Sequence, residues 1–118
     1  MYINTYVLGV TEDRKDDYLR MATAFAEAAR EYGALEIFEN WELEVPDGKQ
    51  TDYRKAIKAE PGEKIVLGWV IWPDRESAFR AHKGMFEGGR LDGLGEPPFD
   101  GSRMIIGGFE PLLSWRKD

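Results

Sequence analysis

Two segments of the sequence are apolar at both odd and even positions, and this feature restricts the fold more than any other. The first is IVLGWVIW at residues 65–72, and the second is MIIGGF at residues 104–109. A strand covered on one face alternates apolar and polar residues, whereas a strand covered on both faces is apolar throughout. We therefore expect a sheet with helices on one face and a second apolar layer on the other.

The pattern along the chain predicts the order strand, helix, strand, strand, helix, strand. Residues 2–10 are rich in β-branched and aromatic side chains, which is typical of a strand. Between residues 13 and 32, apolar positions recur at spacings of three and four, which predicts a helix that stops at Gly33. Residues 34–45 alternate as a half-buried strand does, and a second helix is predicted over residues 75–87.

This order predicts an α+β fold of the ferredoxin-like βαββαβ type, an antiparallel sheet with two helices on one face. That arrangement leaves the other sheet face uncovered, and the two apolar segments would make it a large apolar patch. A second copy of the chain, packed sheet against sheet, is the simplest cover, so we predict a homodimer. With a length of 118 residues, we expect a single domain over residues 1–118.

Composition and charge argue against several kinds of protein. The formal charge of −6 opposes attraction to nucleic-acid phosphates. The sequence has no run of about 18 apolar residues to form a membrane span, and its first strand lacks the features of a signal peptide. We therefore expect a cytoplasmic protein with neither a membrane nor a nucleic-acid partner. Because the chain has no cysteine and one histidine, we predict no metal and no cofactor.

Three longer segments resemble a known protein family. They are GALEIFENWELEVPDGK at residues 33–49, TDYRKAIKAEPGEKIVLGWVIWP at residues 51–73 and PFDGSRMIIGGFEP at residues 98–111. In content and order they are similar to domain-of-unknown-function family 1428, the YbaA-like bacterial proteins. The resemblance implies a ferredoxin-like fold of the dimeric α+β barrel type. It implies little biochemistry, because the family has no established activity.

Glu39 is the carboxylate with the greatest potential for chemistry. It lies on the apolar side of its predicted strand, between Ile37 and Trp41. Loss of solvent there raises the pKa of a carboxyl group and suits it to act as a general base. The alternative is an ion pair with Arg54 or Arg103 that anchors the sheet or the dimer.

Two further residues complete the candidate catalytic set. His82, the only histidine, has apolar neighbours on the second helix, and a packing role in the core is the alternative. Arg103 is a cation near the last strand. The candidate ligand-binding side chains, expected between sheet and helices, are Asn4, Tyr6, Trp41 and Trp69.

The function hypothesis is a homodimer that binds a small organic molecule and transforms it without a cofactor. Dimeric α+β barrels include cofactor-free oxygenases and haem-degrading enzymes, and the latter use Asn, Trp and His. Asn4, Trp69 and His82 offer those residue types here. The alternative is a non-catalytic binding or stress-related accessory module, and RNA binding is disfavoured by the acidic balance. The sequence leaves open whether the protein is an enzyme.

Overall fold

The computed structural model describes residues 1–118, and four of its segments pair as one antiparallel sheet. The strands are β1 (Tyr2–Thr11), β2 (Glu36–Trp41), β3 (Glu63–Trp72) and β4 (Ile105–Phe109). The helices are α1 (Lys15–Glu31), the short α2 (Tyr53–Ala56) and α3 (Arg75–Glu87). The strand order is β2-β3-β1-β4, which confirms the predicted ferredoxin-like fold.

The two long helices agree with the sequence pattern. α3 has the predicted bounds, and the carboxylate of Asp74 begins it by accepting a hydrogen bond from the backbone N–H of Ser77 at 2.7 Å. α1 begins two residues later than predicted because Glu12–Arg14 form a 3₁₀ turn first. It ends before Gly33, whose φ of +101° favours glycine. No helix combines the length and the apolar character needed to cross a bilayer.

The second strand ends at Trp41 and not at residue 45, which corrects the sequence prediction. The backbone N–H of Glu42 still donates to the carbonyl of Ile65 at 2.9 Å. The carboxylate of Glu42, however, accepts the backbone N–H of Ile65 at 2.8 Å, in the place of a further strand carbonyl. Leu43 is 97% exposed, so the alternation beyond Trp41 does not reflect burial.

The even-numbered side chains of β1 and β3 face the helices and form the core. The strands contribute Leu8, Val10, Val66, Val70 and Trp72 to this core. The helices contribute Tyr18, Ala22, Ala28, Ala29, Ala78, Ala81 and Met85. Because five of these seven helical residues are alanines, the helix backbones lie close to the sheet and the large side chains come mainly from the strands.

The opposite side of the sheet, which we call the open face, is apolar and faces away from α1 and α3. Its apolar side chains are Ile3, Val7, Phe38, Ile65, Leu67, Trp69, Ile71, Ile105 and Phe109. Phe38 stacks on Trp69 with ring centroids 5.1 Å apart. Phe38, Ile105 and Phe109 are about half exposed, at 46%, 43% and 57%. The apolar residues of β3 therefore have one side buried under the helices. The other side is covered at Ile65, which is 2% exposed, and no long helix lies over the rest of it.

The last strand, β4, is exposed on both of its sides. Ile105 lies on the open face, whereas Ile106 pairs with Tyr6 and so points to the helix side. Ile106 is nonetheless 71% exposed. β4 is therefore an edge strand that neither helix covers.

Candidate functional site

Tyr6, Gly68 and Glu39 lie side by side in one row across β1, β3 and β2. Because glycine has no side chain, the ring of Tyr6 lies directly over Gly68, where an added Cβ would be 2.2 Å from a ring carbon. The hydroxyl of Tyr6 thereby reaches across β3 and donates to Oε2 of Glu39 at 2.5 Å. The row connects three strands through side chains on the helix side of the sheet.

Tyr18 on α1 completes the surroundings of the Glu39 carboxylate. Its hydroxyl donates a hydrogen bond to Oε1 at 2.7 Å, so each carboxylate oxygen accepts one hydrogen bond from a tyrosine hydroxyl. Burial raises the pKa of Glu39, and the hydrogen bonds from Tyr6 and Tyr18 only partly oppose this rise. Burial and the nearby carboxylate also raise the pKa of both tyrosines, which keeps them protonated. Glu39 is thus a carboxylate of enhanced basicity between two fixed donors.

A cleft of about 370 Å³ lies between α1 and β2, and Glu39 forms part of its wall. Leu19, Ala22 and Ala26 line it from α1, and Leu35 and Ile37 line it from the side of β2. This volume suits a small organic molecule. Six of the ten lining residues are apolar, and the others are Thr23, Arg30, Glu36 and Glu39.

Arg30 also lines the cleft and forms no ion pair within 4 Å. It lies near the C-terminal end of α1, whereas Tyr18, the hydrogen-bond partner of Glu39, lies near the N-terminal end. The charged groups of the cleft wall are therefore the cation of Arg30 and the carboxylates of Glu39 and Glu36, of which Glu36 lies 3.9 Å from Arg116.

None of the four predicted ligand-binding residues lines this cleft. The ring of Trp41 lies beneath the ammonium group of Lys15, 5.0 Å from its centroid. The side-chain oxygen of Asn4 accepts the indole N–H of Trp72 at 3.0 Å. Trp69 pairs with Thr5 and faces away from the helices, so its predicted position between sheet and helices is wrong. Of the four, only Tyr6 contacts Glu39.

The structure also separates His82 from Glu39. His82 packs beside Trp72 and Phe86, with ring centroids 6.3 Å and 6.1 Å away, and burial lowers its pKa. Along β3, Trp72 lies four residues beyond Gly68, about 13 Å at a strand rise of roughly 3.3 Å per residue. Asn4, Trp69 and His82 do not converge either, because Asn4 and Trp69 lie on opposite sheet faces. No three His, Asp or Glu side chains form a group that could hold a metal ion.

Arg103 lies on the open face and binds a different carboxylate from the one expected. Its Nη1 and Nη2 donate to Oε1 and Oε2 of Glu63 at 2.8 Å and 2.7 Å. The Glu63 carboxylate lies over Gly9, where an added Cβ would be 2.9 Å from Oε1. The expected pairing of Glu39 with an arginine is therefore wrong: Arg54 pairs with Glu42, and Glu39 binds tyrosines on the helix side.

Sequence reasoning missed Tyr18, Arg30 and Glu63. Tyr18 fits the three-and-four apolar spacing of residues 13–32 and is buried on the core face of α1, but its hydroxyl also binds Glu39. A glycine inside the apolar run of β3 was the available signal, since it marks a place where a neighbouring side chain crosses the strand. That signal does not identify the crossing side chain without the register of the sheet.

Comparison with known sequences identifies relatives over nearly the whole chain. The family model described as "Protein of unknown function (DUF1428)" matches residues 1–101. The uncharacterized protein YbaA of Escherichia coli K12 is 44% identical over 113 residues, which cover 95% of this chain and 97% of that protein. The uncharacterized protein YbaA of Shigella flexneri matches to the same extent. The family resemblance read from the sequence is confirmed.

A solved structure supports the fold. A dimeric ferredoxin-like protein from an uncultured marine organism aligns with a TM-score of 0.62 over 99% of this chain and 100% of its own. The two sequences are only 5% identical, so the likeness concerns the fold alone.

We predict that Gly68→Ala destabilises the protein because the new methyl group displaces the ring of Tyr6. Such overpacking costs about 1–3 kcal/mol in the free energy of unfolding. Gly93→Ala is the control, since an added Cβ there has no heavy atom within 4 Å. Urea denaturation measures both variants. Equal midpoints for the two would contradict the packing of Tyr6 on Gly68.

We also predict that Glu63 contributes a pH-dependent part of the stability. Hydrogen bonds from Arg103 lower the pKa of Glu63 in the folded state. The pair therefore stabilises the fold fully above the ordinary glutamate pKa of about 4.3, and this stabilisation is lost as the pH falls through the lower folded pKa. In Glu63→Gln, the free energy of unfolding should no longer show this decrease as the pH falls below about 4.3.

At neutral pH, Glu63→Gln leaves a nearly buried guanidinium without its main partner, which costs up to about 3 kcal/mol. Glu31→Gln is the matched control, because the ion pair of Glu31 with Arg90 is exposed and solvent screens its contribution to stability. Urea denaturation curves, recorded at about one curve per pH unit from pH 3 to neutrality, measure both effects. Identical acid profiles for the wild type and Glu63→Gln would refute the assignment.

Proposed function

Because the chain belongs to the DUF1428 family of proteins of unknown function, we propose that it forms a homodimer that binds a small organic molecule in the cleft beside Glu39. The observation that carries this proposal is a partly buried carboxylate of raised pKa in the wall of an apolar cleft of about 370 Å³. The cytoplasmic location and the lack of a nucleic-acid partner stay predictions from composition.

The cleft favours an organic acid with an apolar body. Leu19, Leu35 and Ile37 offer an apolar wall for hydrocarbon or a ring. Arg30 offers an unpaired cation for a carboxylate, and charge-assisted hydrogen bonds of this kind are among the stronger polar contacts. Glu39 offers an acceptor for a hydroxyl group at the other end of the ligand.

If the protein is an enzyme, Glu39 is its general base. A raised pKa suits Glu39 to take a proton from an acidic O–H or C–H of the ligand, while Tyr6 and Tyr18 remain fixed as donors around it. The analogy with haem-degrading enzymes loses its support, because Asn4 and Trp69 lie on opposite faces of the sheet.

The alternative is a non-catalytic binding module, and one observation favours it. Both oxygens of Glu39 already accept a hydrogen bond from a tyrosine, so the carboxylate is satisfied without a ligand. In this reading Glu39 joins the sheet to α1, and the cleft binds its ligand through Arg30 and the apolar wall.

We predict that 4-hydroxyphenylacetate, a ring with a carboxylate and a hydroxyl, binds in the cleft. In an NMR titration with ¹⁵N-labelled protein, the backbone signals of Ala26 and Leu35 should shift. Arg30→Gln should weaken binding roughly ten-fold, the loss expected for one charge-assisted hydrogen bond. Arg20→Gln, on the same helix and 72% exposed, should leave the affinity unchanged.

Glu39→Gln separates the two readings. If Glu39 is the base, the variant should still bind any ligand that the wild type turns over, but it should no longer turn that ligand over. Retained turnover would exclude that role. If millimolar 4-hydroxyphenylacetate shifts no cleft signal, or shifts only signals of the open face, the ligand site is refuted.

The homodimer proposal is supported by the open face. A soluble monomer rarely exposes a continuous apolar sheet surface of this kind, and a twofold partner covers it by matching the same face on a second copy. The marine protein of similar fold is itself described as dimeric.

Two neighbouring residues of β4 test the dimer. Ile105 lies on the open face and Ile106 points to the other side of the same edge strand. Ile105→Asp should therefore dissociate the dimer in sedimentation velocity runs, because it buries a charge in an apolar interface, whereas Ile106→Asp should leave it intact. A dimer that withstands Ile105→Asp without loss of affinity would exclude the open face as the interface.

A further inference from the structure

The C-terminal segment, residues 110–118, carries three large apolar side chains that contact almost nothing in their own chain. Leu112, Leu113 and Trp115 are 101%, 89% and 83% exposed. An isolated exposed leucine needs no explanation, but three large apolar residues within four positions form a patch that favours contact with another surface.

This segment lies beside the end of the open face. It leaves β4 after Phe109 at one edge of the sheet, and Arg116 reaches Glu36 of β2 at the opposite edge, with Nη2 3.9 Å from Oε1. The row that pairs Phe109 through Ile3 and Ile71 to Glu36 crosses all four strands, about 14 Å at roughly 4.8 Å per strand. Residues 110–116 are long enough for that distance, since an extended chain spans about 3.3 Å per residue.

The open face is small compared with the surface that a stable protein interface buries, which suggests a role for the C-terminal segment in the dimer. Four strands at about 4.8 Å and some six residues at about 3.3 Å give a projected face of roughly 400 Å². A stable protein interface buries about 800 Å² on each partner. The projected open face is about half of that figure, and its part at Ile65 is already covered within the chain, so a dimer gains from contacts beyond the face. One tryptophan adds about 150–250 Å² when buried, and two leucines beside it add more.

We propose that residues 110–118 form a dimer arm, which packs Leu112, Leu113 and Trp115 against the second copy of the chain at the margin of the open face. The proposal rests on the homodimer proposed above. Charge does not oppose this choice of partner: the arm carries Glu110 and Asp118 as well as Arg116 and Lys117, so it has no net formal charge, whereas the chain as a whole carries −6. A neutral, apolar arm is therefore not repelled by a second copy.

The test compares two sets of serine substitutions in the full chain. In the arm variant, Leu112, Leu113 and Trp115 are each changed to serine. In the control variant, the exposed Phe79 and Phe86 of α3, at 72% and 59% exposure, are changed to serine. Because buried aromatic anchors dominate interface energies, the arm variant should raise the dimer dissociation constant on the order of 100-fold, measured by sedimentation equilibrium. The control variant should stay within about three-fold, as expected for residues outside an interface.

The outcomes separate the arm from the dimer itself. A wild-type protein that is monomeric at all concentrations refutes both the homodimer and the arm. A wild-type dimer whose dissociation constant is the same in the arm variant refutes the arm and leaves the homodimer. A second measurement places a photoreactive benzophenone side chain at position 115. Irradiation should produce a covalent dimer on a denaturing gel, and crosslinks confined to single chains would overturn the proposal.

Discussion

The hydrogen bond from Tyr6 to Glu39 across Gly68 is the contact on which the helix side of the protein depends. A carboxylate at this depth is unfavourable unless donors compensate for the lost water. Tyr6 supplies one donor from a strand two positions away, and Tyr18 supplies the other from α1. One carboxylate thus fixes β2 against β1 and α1 against both, and this sets the shape of the cleft between α1 and β2.

The two sides of the sheet have separate tasks in this arrangement. The helix side holds the core, the Glu39 cluster and the cleft, whereas the open face is apolar and continuous with the C-terminal arm. The proposed ligand and the proposed partner therefore occupy opposite sides of the sheet at β2. The two sites meet at Glu36, which lines the cleft and also lies 3.9 Å from Arg116 of the arm.

Local pattern was enough to predict the elements and the position of Glu39. Three-and-four spacing predicted α1, the capping residue Asp74 predicted the start of α3, and alternation placed Glu39 on the buried side of β2. The partners of Glu39 were not predictable, because they depend on which residues share its level on β1, β3 and α1. The predicted position of Trp69 was wrong for a related reason. In a run that is apolar at every position, parity does not reveal which side faces the helices. β2 ended early because the Glu42 side chain replaced a backbone partner.

The position of β1 in the centre of the sheet also determines the order in which the chain can fold. β1 pairs with β3 on one side and with β4 on the other, so the first strand to leave the ribosome has to wait for the last. Long-range strand pairing of this kind slows folding and leaves apolar edges open to wrong partners in the meantime. Until β4 emerges, the nascent chain holds an apolar strand with one free edge, and this is the stage of synthesis at which the protein most needs shielding.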